Sequence, residues 1–128
     1  METEHGRNNK CAVCAYEFFG TGIIQLVIQM AKPMGPIYHL PAIYFAILAM
    51  IVVTGPVSGG HVNPAITVGV LFGFVSVGKF WQNFFFAVAI ILSQIGGAIF
   101  ATLIVYLFLE RDDKTRTHYP EINILCPP

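Results

Sequence analysis

The chain has 128 residues, of which 55% are hydrophobic and only 11% charged, well below the roughly 25% charged residues of a soluble domain. Seven basic and seven acidic residues cancel, which excludes the basic field that a nucleic-acid partner requires. Between Cys11 and Leu109 only Glu17, Lys32 and Lys79 carry formal charge, so the composition reads as an integral, multi-pass membrane protein.

In chain order, residues 1–10 form a polar tail. The stretch 11–31 is the first expected span, about the 20 apolar residues a bilayer crossing needs, and it carries Glu17, Gln25 and Gln29. Arg7 and Lys10 ahead of an apolar run resemble a signal peptide. Glu17 interrupts that run, however, and no small-x-small cleavage site follows, so a retained span is expected. Lys32 to His39, with Pro33, Gly35 and Pro36, reads as a tight connection. Pro41 suits a first helical turn, and 40–57 is the second span. A re-entrant loop and half-helix are expected over 58–75. Gly78, Lys79 and the aromatics around Trp81 form an interfacial anchor, 84–109 is a third, tilted span, and 110–128 is a polar tail or truncated loop.

Other features are less informative. Ser93, Gly97 and Ala101, and likewise Ala42 and Ala46, lie four apart, a spacing that allows close helix packing. Cys11-x-x-Cys14 has metal-ligand spacing, but a second ligand pair is absent and Cys126 leaves an odd count, so neither a zinc site nor a disulfide framework is expected. With an odd number of spans, Arg7, Lys10 and Lys79 face Lys32, Arg111, Lys114 and Arg116 across the membrane. That near-balance gives no orientation.

The chemistry concentrates in "SGGHVNPAITVG", residues 58–69. Ile66 to Val75 is about 10 residues, or roughly 15 Å of helix, half of a hydrocarbon core about 30 Å thick. A helix that starts in mid-membrane must be buried in protein or line a wet cavity. Asn63 is a strong N-cap, Pro64 suits the first helical position, and Ala65 keeps the tip small. With the Asn63 oxygen used in capping, its amide NH2 stays free as a fixed donor. The preceding Ser58 to Val62 is expected to be extended, presenting carbonyl acceptors. Acceptors opposite an oriented donor at a positive helix end suit a neutral, hydrogen-bonding solute and repel cations.

That stretch resembles the first motif of the aquaporin and aquaglyceroporin (major intrinsic protein) family. "YEFFGT" (16–21) is similar to the family's first-helix motif and "SQIGGAIFA" (93–101) to its third-helix motif. In order and at matching spacing, the three cover most of residues 11–109. The resemblance implies six spans and two half-helices built from two inverted repeats, usually as a homotetramer. The plasma membrane is the expected location. By the same resemblance Asn63, with Pro64 and Ala65, is the first pore constriction. The carbonyls of Gly60, His61 and Val62 become pore-lining acceptors, and Glu17 and Gln94 brace the loop. Ile43 falls where water-selective relatives carry a pore-facing phenylalanine, with Tyr44 and Phe45 close enough to compete.

The expected fold is therefore an all-α membrane protein: three transmembrane helices plus a half-helix starting at Asn63-Pro64-Ala65, an aquaporin-like first repeat. No second Asn-Pro-Ala and no fourth to sixth spans occur. The expected function is a passive channel for water and/or small neutral solutes such as glycerol, without cofactor or enzyme chemistry, and needing a second aquaporin repeat to conduct. The rival expectation is a truncated, non-conducting product that regulates or assembles with full-length channels. For Glu17 a structural acceptor is preferred over a proton relay, since burying it unpaired is costly. His61 is read as a loop brace rather than a pH gate. His39 and His118 are assigned to loops.

Overall fold

A computed structural model describes residues 4–73 and 80–109. The elements are α1 (Glu4–Ala31), a 3-10 turn (Lys32–Met34), α2 (Pro36–Ser58), α3 (Pro64–Gly73) and α4 (Phe80–Leu109). The described residues thus form an all-helical bundle of three long apolar helices and one short one. Each long helix is long and apolar enough to cross a membrane: Asn9–Met34, Pro36–Ser58 and Phe80–Phe108. Lys79, Gly78, the C-terminal tail, His118 and Cys126 lie outside the described residues.

The burial pattern is inside-out relative to a water-soluble bundle. The most completely buried large side chains are polar: Gln94, Glu17, Thr54 and Thr67. Large apolar side chains such as Tyr44, Phe45, Val52, Trp81, Phe85 and Phe108 stand exposed all round the helices. Helices apolar on every face require an apolar surround. In a bilayer their only costly groups are polar ones, which must find partners inside.

α1 begins at Glu4, earlier than the expected span at Cys11. Hydropathy marks where the chain enters lipid, whereas i→i−4 bonding continues into polar residues. α2 begins at Pro36 rather than Leu40. Pro36, not Pro41, occupies the first helical position, where its missing N–H costs nothing, and Gly35 precedes it at φ +81°. Pro41 and Pro56 lie inside α2. Hydroxyls sit over helix carbonyls in this region: Thr54 Oγ1 donates to Met50 O at 2.7 Å, and Ser58 Oγ lies 3.1 Å from Thr54 O. His39 is not a loop residue but sits in the first turns of α2, its Nε2 3.1 Å from Ile28 O. It so satisfies a carbonyl at the end of α1 that helix geometry leaves open.

α1 is the central strut, packed against α4 and α2, while α3 packs on α4. The α1–α4 crossing is close because glycines form it. A Cβ on Gly97 would overlap the Phe18 carbonyl oxygen, and one on Gly22 would lie 3.1 Å from Gly97 O. Ala101 continues this face and is buried. Farther along, Gln29 Nε2 donates to Thr102 Oγ1 at 2.7 Å, tying α1 to α4 within the bundle.

Candidate functional site

Glu17 lies six residues beyond Cys11, where the apolar stretch of α1 begins, hence about 9 Å down the helix. Its carboxylate is fully buried and four donors converge on it. Oε1 accepts from Ser58 Oγ at 2.5 Å and His61 N at 3.0 Å. Oε2 accepts from Val62 N at 2.6 Å and Gln94 Nε2 at 2.7 Å. A carboxylate has acceptor sites for all four. Three elements therefore meet on one side chain: the end of α2, the loop before α3, and α4.

The loop itself is compact rather than extended. Gly59 (φ +86°), Gly60 (φ +67°) and Val62 (φ +38°) all have positive φ. Gly59 ends α2 in the left-handed conformation, its N–H bonded to Gly55 O at 3.0 Å, a common helix stop. Gly60 is pressed against α2, so that an added Cβ would lie 3.2 Å from Ile51 O. Its N–H bonds Ser58 Oγ at 3.2 Å. Paired glycines make this turn possible; an extended strand would carry the His61 and Val62 N–H groups away from Glu17.

One consequence is a sorting of backbone polar groups. The N–H groups of Gly60, His61 and Val62 are all consumed by Ser58 and Glu17. The carbonyls of the same three residues accept no hydrogen bond from a described residue.

Asn63 then starts α3. Its Oδ1 accepts from Ala65 N at 2.9 Å and its carbonyl from Thr67 N at 3.1 Å, a side-chain N-cap. Pro64 supplies the first helical residue. With Oδ1 so occupied, Nδ2 is left without a partner among the described residues, on an exposed side chain beside exposed Ala65.

Thr67, one turn on, is the hub beneath. Its Oγ1 accepts from Gln94 Nε2 at 3.1 Å and lies 3.2 Å from both Asn63 O and His61 Nδ1. A hydroxyl has one proton to give. If it goes to the Asn63 carbonyl, which has only acceptor capacity, His61 must carry its proton on Nδ1 and donate to Thr67. The ring thus braces the loop and lines a cavity of about 300 Å³ shared with Val13, Ser58, Asn83 and Ile90. Gln94 Oε1 and Thr21 Oγ1 are buried without a partner among the described residues. The Gln94 amide cannot be reversed, because its oxygen would then face the Glu17 carboxylate.

Ser58, Thr67 and Thr54 join this cluster without standing out in the sequence. Their signal was available as spacing: Ser58 lies four residues after Thr54, and Thr67 four after Asn63. Ile43 is not brought to this cluster. It is half-buried on α2, 15 residues before Ser58 and so about 22 Å along the helix, between half-buried Ala42 and exposed Tyr44 and Phe45.

A family model described as Major intrinsic protein matches residues 9–124. The chain belongs to the major intrinsic protein family. No curated protein and no solved structure matches it. Major intrinsic proteins are membrane channels for water or small solutes and not enzymes, and the three apolar helices here are those of an integral, multi-pass member. Among the described residues no group of three or more metal-ligating side chains occurs.

Proposed function

We propose that the chain forms one half of a passive channel for water and/or small neutral solutes such as glycerol. The carbonyls of Gly60, His61 and Val62 and the Asn63 amide line its path. The observation that supports this most is the sorting of polar groups at the re-entrant turn. Three successive N–H groups are tied down inside the bundle, while three carbonyls and one amide Nδ2 have no partner among the described residues. Free backbone acceptors at membrane depth are sustainable only where they meet water, solute or another part of the protein. Neutral solutes that both donate and accept match such a surface. A cation would meet the positive end of α3.

In this reading Pro64 and Ala65 keep the tip rigid and small, Glu17 and Gln94 hold the turn, and Ile43 on α2 shapes a separate constriction roughly 20 Å away. The exposed tip calls for an opposing half-helix, as in inverted-repeat architectures. An aquaporin-type second repeat is the partner proposed, within homotetramers in the plasma membrane.

Stopped-flow swelling of vesicles tests the proposal. Vesicles holding the 128-residue chain alone should swell no faster than empty ones, and co-reconstitution with the second repeat of a known water channel should raise the rate. Unchanged swelling with every second repeat tried, despite co-purification of the halves, would refute it.

A further inference from the structure

Val62 combines features that do not ordinarily coexist. It is β-branched, buried at 7% exposure, and held at φ +38°, where such a residue is a rare outlier. A conformation of this kind persists only when its surroundings over-determine it. Two holds are visible, and both come from one face of α1. Glu17 Oε2 takes the Val62 N–H at 2.6 Å. Three residues on, Gly20 has no Cβ, and the Val62 isopropyl group fills the space: a Cβ there would lie 2.7 Å from Val62 Cγ1 and 3.0 Å from Thr54 Cγ2. Thr54 forms the far wall. Its Oγ1 is committed to Met50 O at 2.7 Å, which fixes the rotamer that turns Cγ2 toward Gly20.

We propose that Gly20 is a positioning residue for the re-entrant turn. The notch it leaves between α1 and Thr54 seats the Val62 side chain while Glu17 holds the Val62 N–H. The two holds together keep the Val62 peptide in the left-handed region and its carbonyl free. Neither hold suffices alone. With the N–H bound but the notch closed, the side chain must move out and rotate the backbone. With the notch open but the side chain truncated, the peptide is free to relax to negative φ. The role of the carbonyl as a pore acceptor rests on the channel reading above; the two-point hold on the peptide does not.

Reciprocal rescue tests this. The full chain, isotopically labelled and placed in lipid nanodiscs, is compared as wild type, Gly20→Ala, Val62→Ala and the double variant. Two quantities are read: amide exchange at residue 62, and φ at residue 62 from backbone chemical shifts. Each single change should raise that exchange about tenfold. In the double variant the methyl group added at position 20 refills the space left by the two methyls lost at position 62, so exchange should return within about twofold of wild type. Folding of the double variant where Gly20→Ala alone fails to fold is also rescue. A single variant that leaves exchange and φ at residue 62 unchanged would overturn the proposal, as would a double variant no better than the worse single. If no Gly20→Ala chain folds, Val62→Ala decides alone: unchanged exchange and φ overturn the hold. Water and glycerol flux with a second repeat present is measured in parallel. Failure of wild-type flux removes the channel reading and leaves the exchange result standing.

Discussion

Replacing Glu17 by Gln and by Ala should give two different, calculable failures. In Glu17→Ala every donor on the carboxylate loses its acceptor, but not all are orphaned. Ser58 Oγ can turn its proton to Thr54 O, and Gln94 Nε2 keeps Thr67 Oγ1, whereas the N–H groups of His61 and Val62 have no other partner among the described residues. Two orphaned donors at about 1–3 kcal/mol each give about 2–6 kcal/mol. Lost packing adds to this, and relief from burying a charge offsets part of it; a net loss of about 3–5 kcal/mol is expected. In Glu17→Gln the amide oxygen can stay with Val62 N and Gln94 Nε2, and the new NH2 can face Ser58 Oγ, which then accepts while donating to Thr54 O. Only the His61 N–H is orphaned, for a loss of about 1–3 kcal/mol.

Unfolding in nanodiscs should therefore rank wild type above Gln above Ala. Residue-resolved amide exchange is the sharper assay. The Gln variant should lose protection at His61 while keeping it at Val62, and the Ala variant should lose both. Equal loss at the two amides in Glu17→Gln, or an Ala variant within about 1 kcal/mol of wild type, would refute the partner assignment on which the estimate rests.

Asn63→Ala removes the cap on Ala65 N and should cost about 1 kcal/mol of stability, with weaker discrimination between water and larger neutral solutes; unchanged stability and selectivity together would contradict its role. Gly97→Ala places a methyl group on the Phe18 carbonyl, which is backbone and cannot swing aside, so at least the roughly 1–3 kcal/mol typical of overpacking is expected. Because α4 must move away from α1, the same variant should loosen the Gln94 contact with Glu17, visible as faster exchange at Val62. Ile43→Phe in a channel completed by a second repeat should lower the glycerol-to-water permeability ratio; an unchanged ratio would point to Tyr44 or Phe45 instead.

Much of the architecture was legible because it follows from local rules. Sparse charges delimit three spans, and a ten-residue apolar segment behind Asn-Pro is too short to cross a bilayer and reads as a helix that starts inside it. The Asn63 cap was likewise readable, since the donor it caps lies two residues away. What escaped depended on the third dimension. The turn from Ser58 to Val62 looked extended because a ladder of carbonyls needs no tertiary partner. The actual left-handed turn exists because a carboxylate more than 40 residues earlier gathers its N–H groups. Thr67 and Ser58 were passed over because a hydroxyl in an apolar helix often only caps its own i−4 carbonyl, and which of them meets Glu17 or Gln94 is decided by how α1, α2 and α4 cross. Pro41 suits a first helical turn, yet it lies inside α2, because Pro36, five residues earlier, satisfies the same rule with a glycine ahead of it.

The placement of buried Glu17 explains why the polar groups of the turn it holds are so unevenly satisfied. A turn of three residues brings three donors and three acceptors into a membrane, and leaving all six to lipid is prohibitive. Pairing donors with acceptors in a local ladder would satisfy both sets and leave an inert surface. A carboxylate accepts and does not donate, so it removes donors from the turn without touching the carbonyls. Glutamine in its place would return an NH2 group and blur that division. The same logic governs Asn63, whose oxygen is consumed by its own helix while its nitrogen is not. Among the described residues the carbonyls of Gly60, His61 and Val62 and the Asn63 Nδ2 are left without partners, on a turn that Glu17, Thr67 and Gln94 hold in place. In the proposed channel a passing molecule must accept from Asn63 and donate to the carbonyls. Water and polyols do both without charge, so in the proposed channel the buried acid, though it touches no solute, would set the chemical class that can cross.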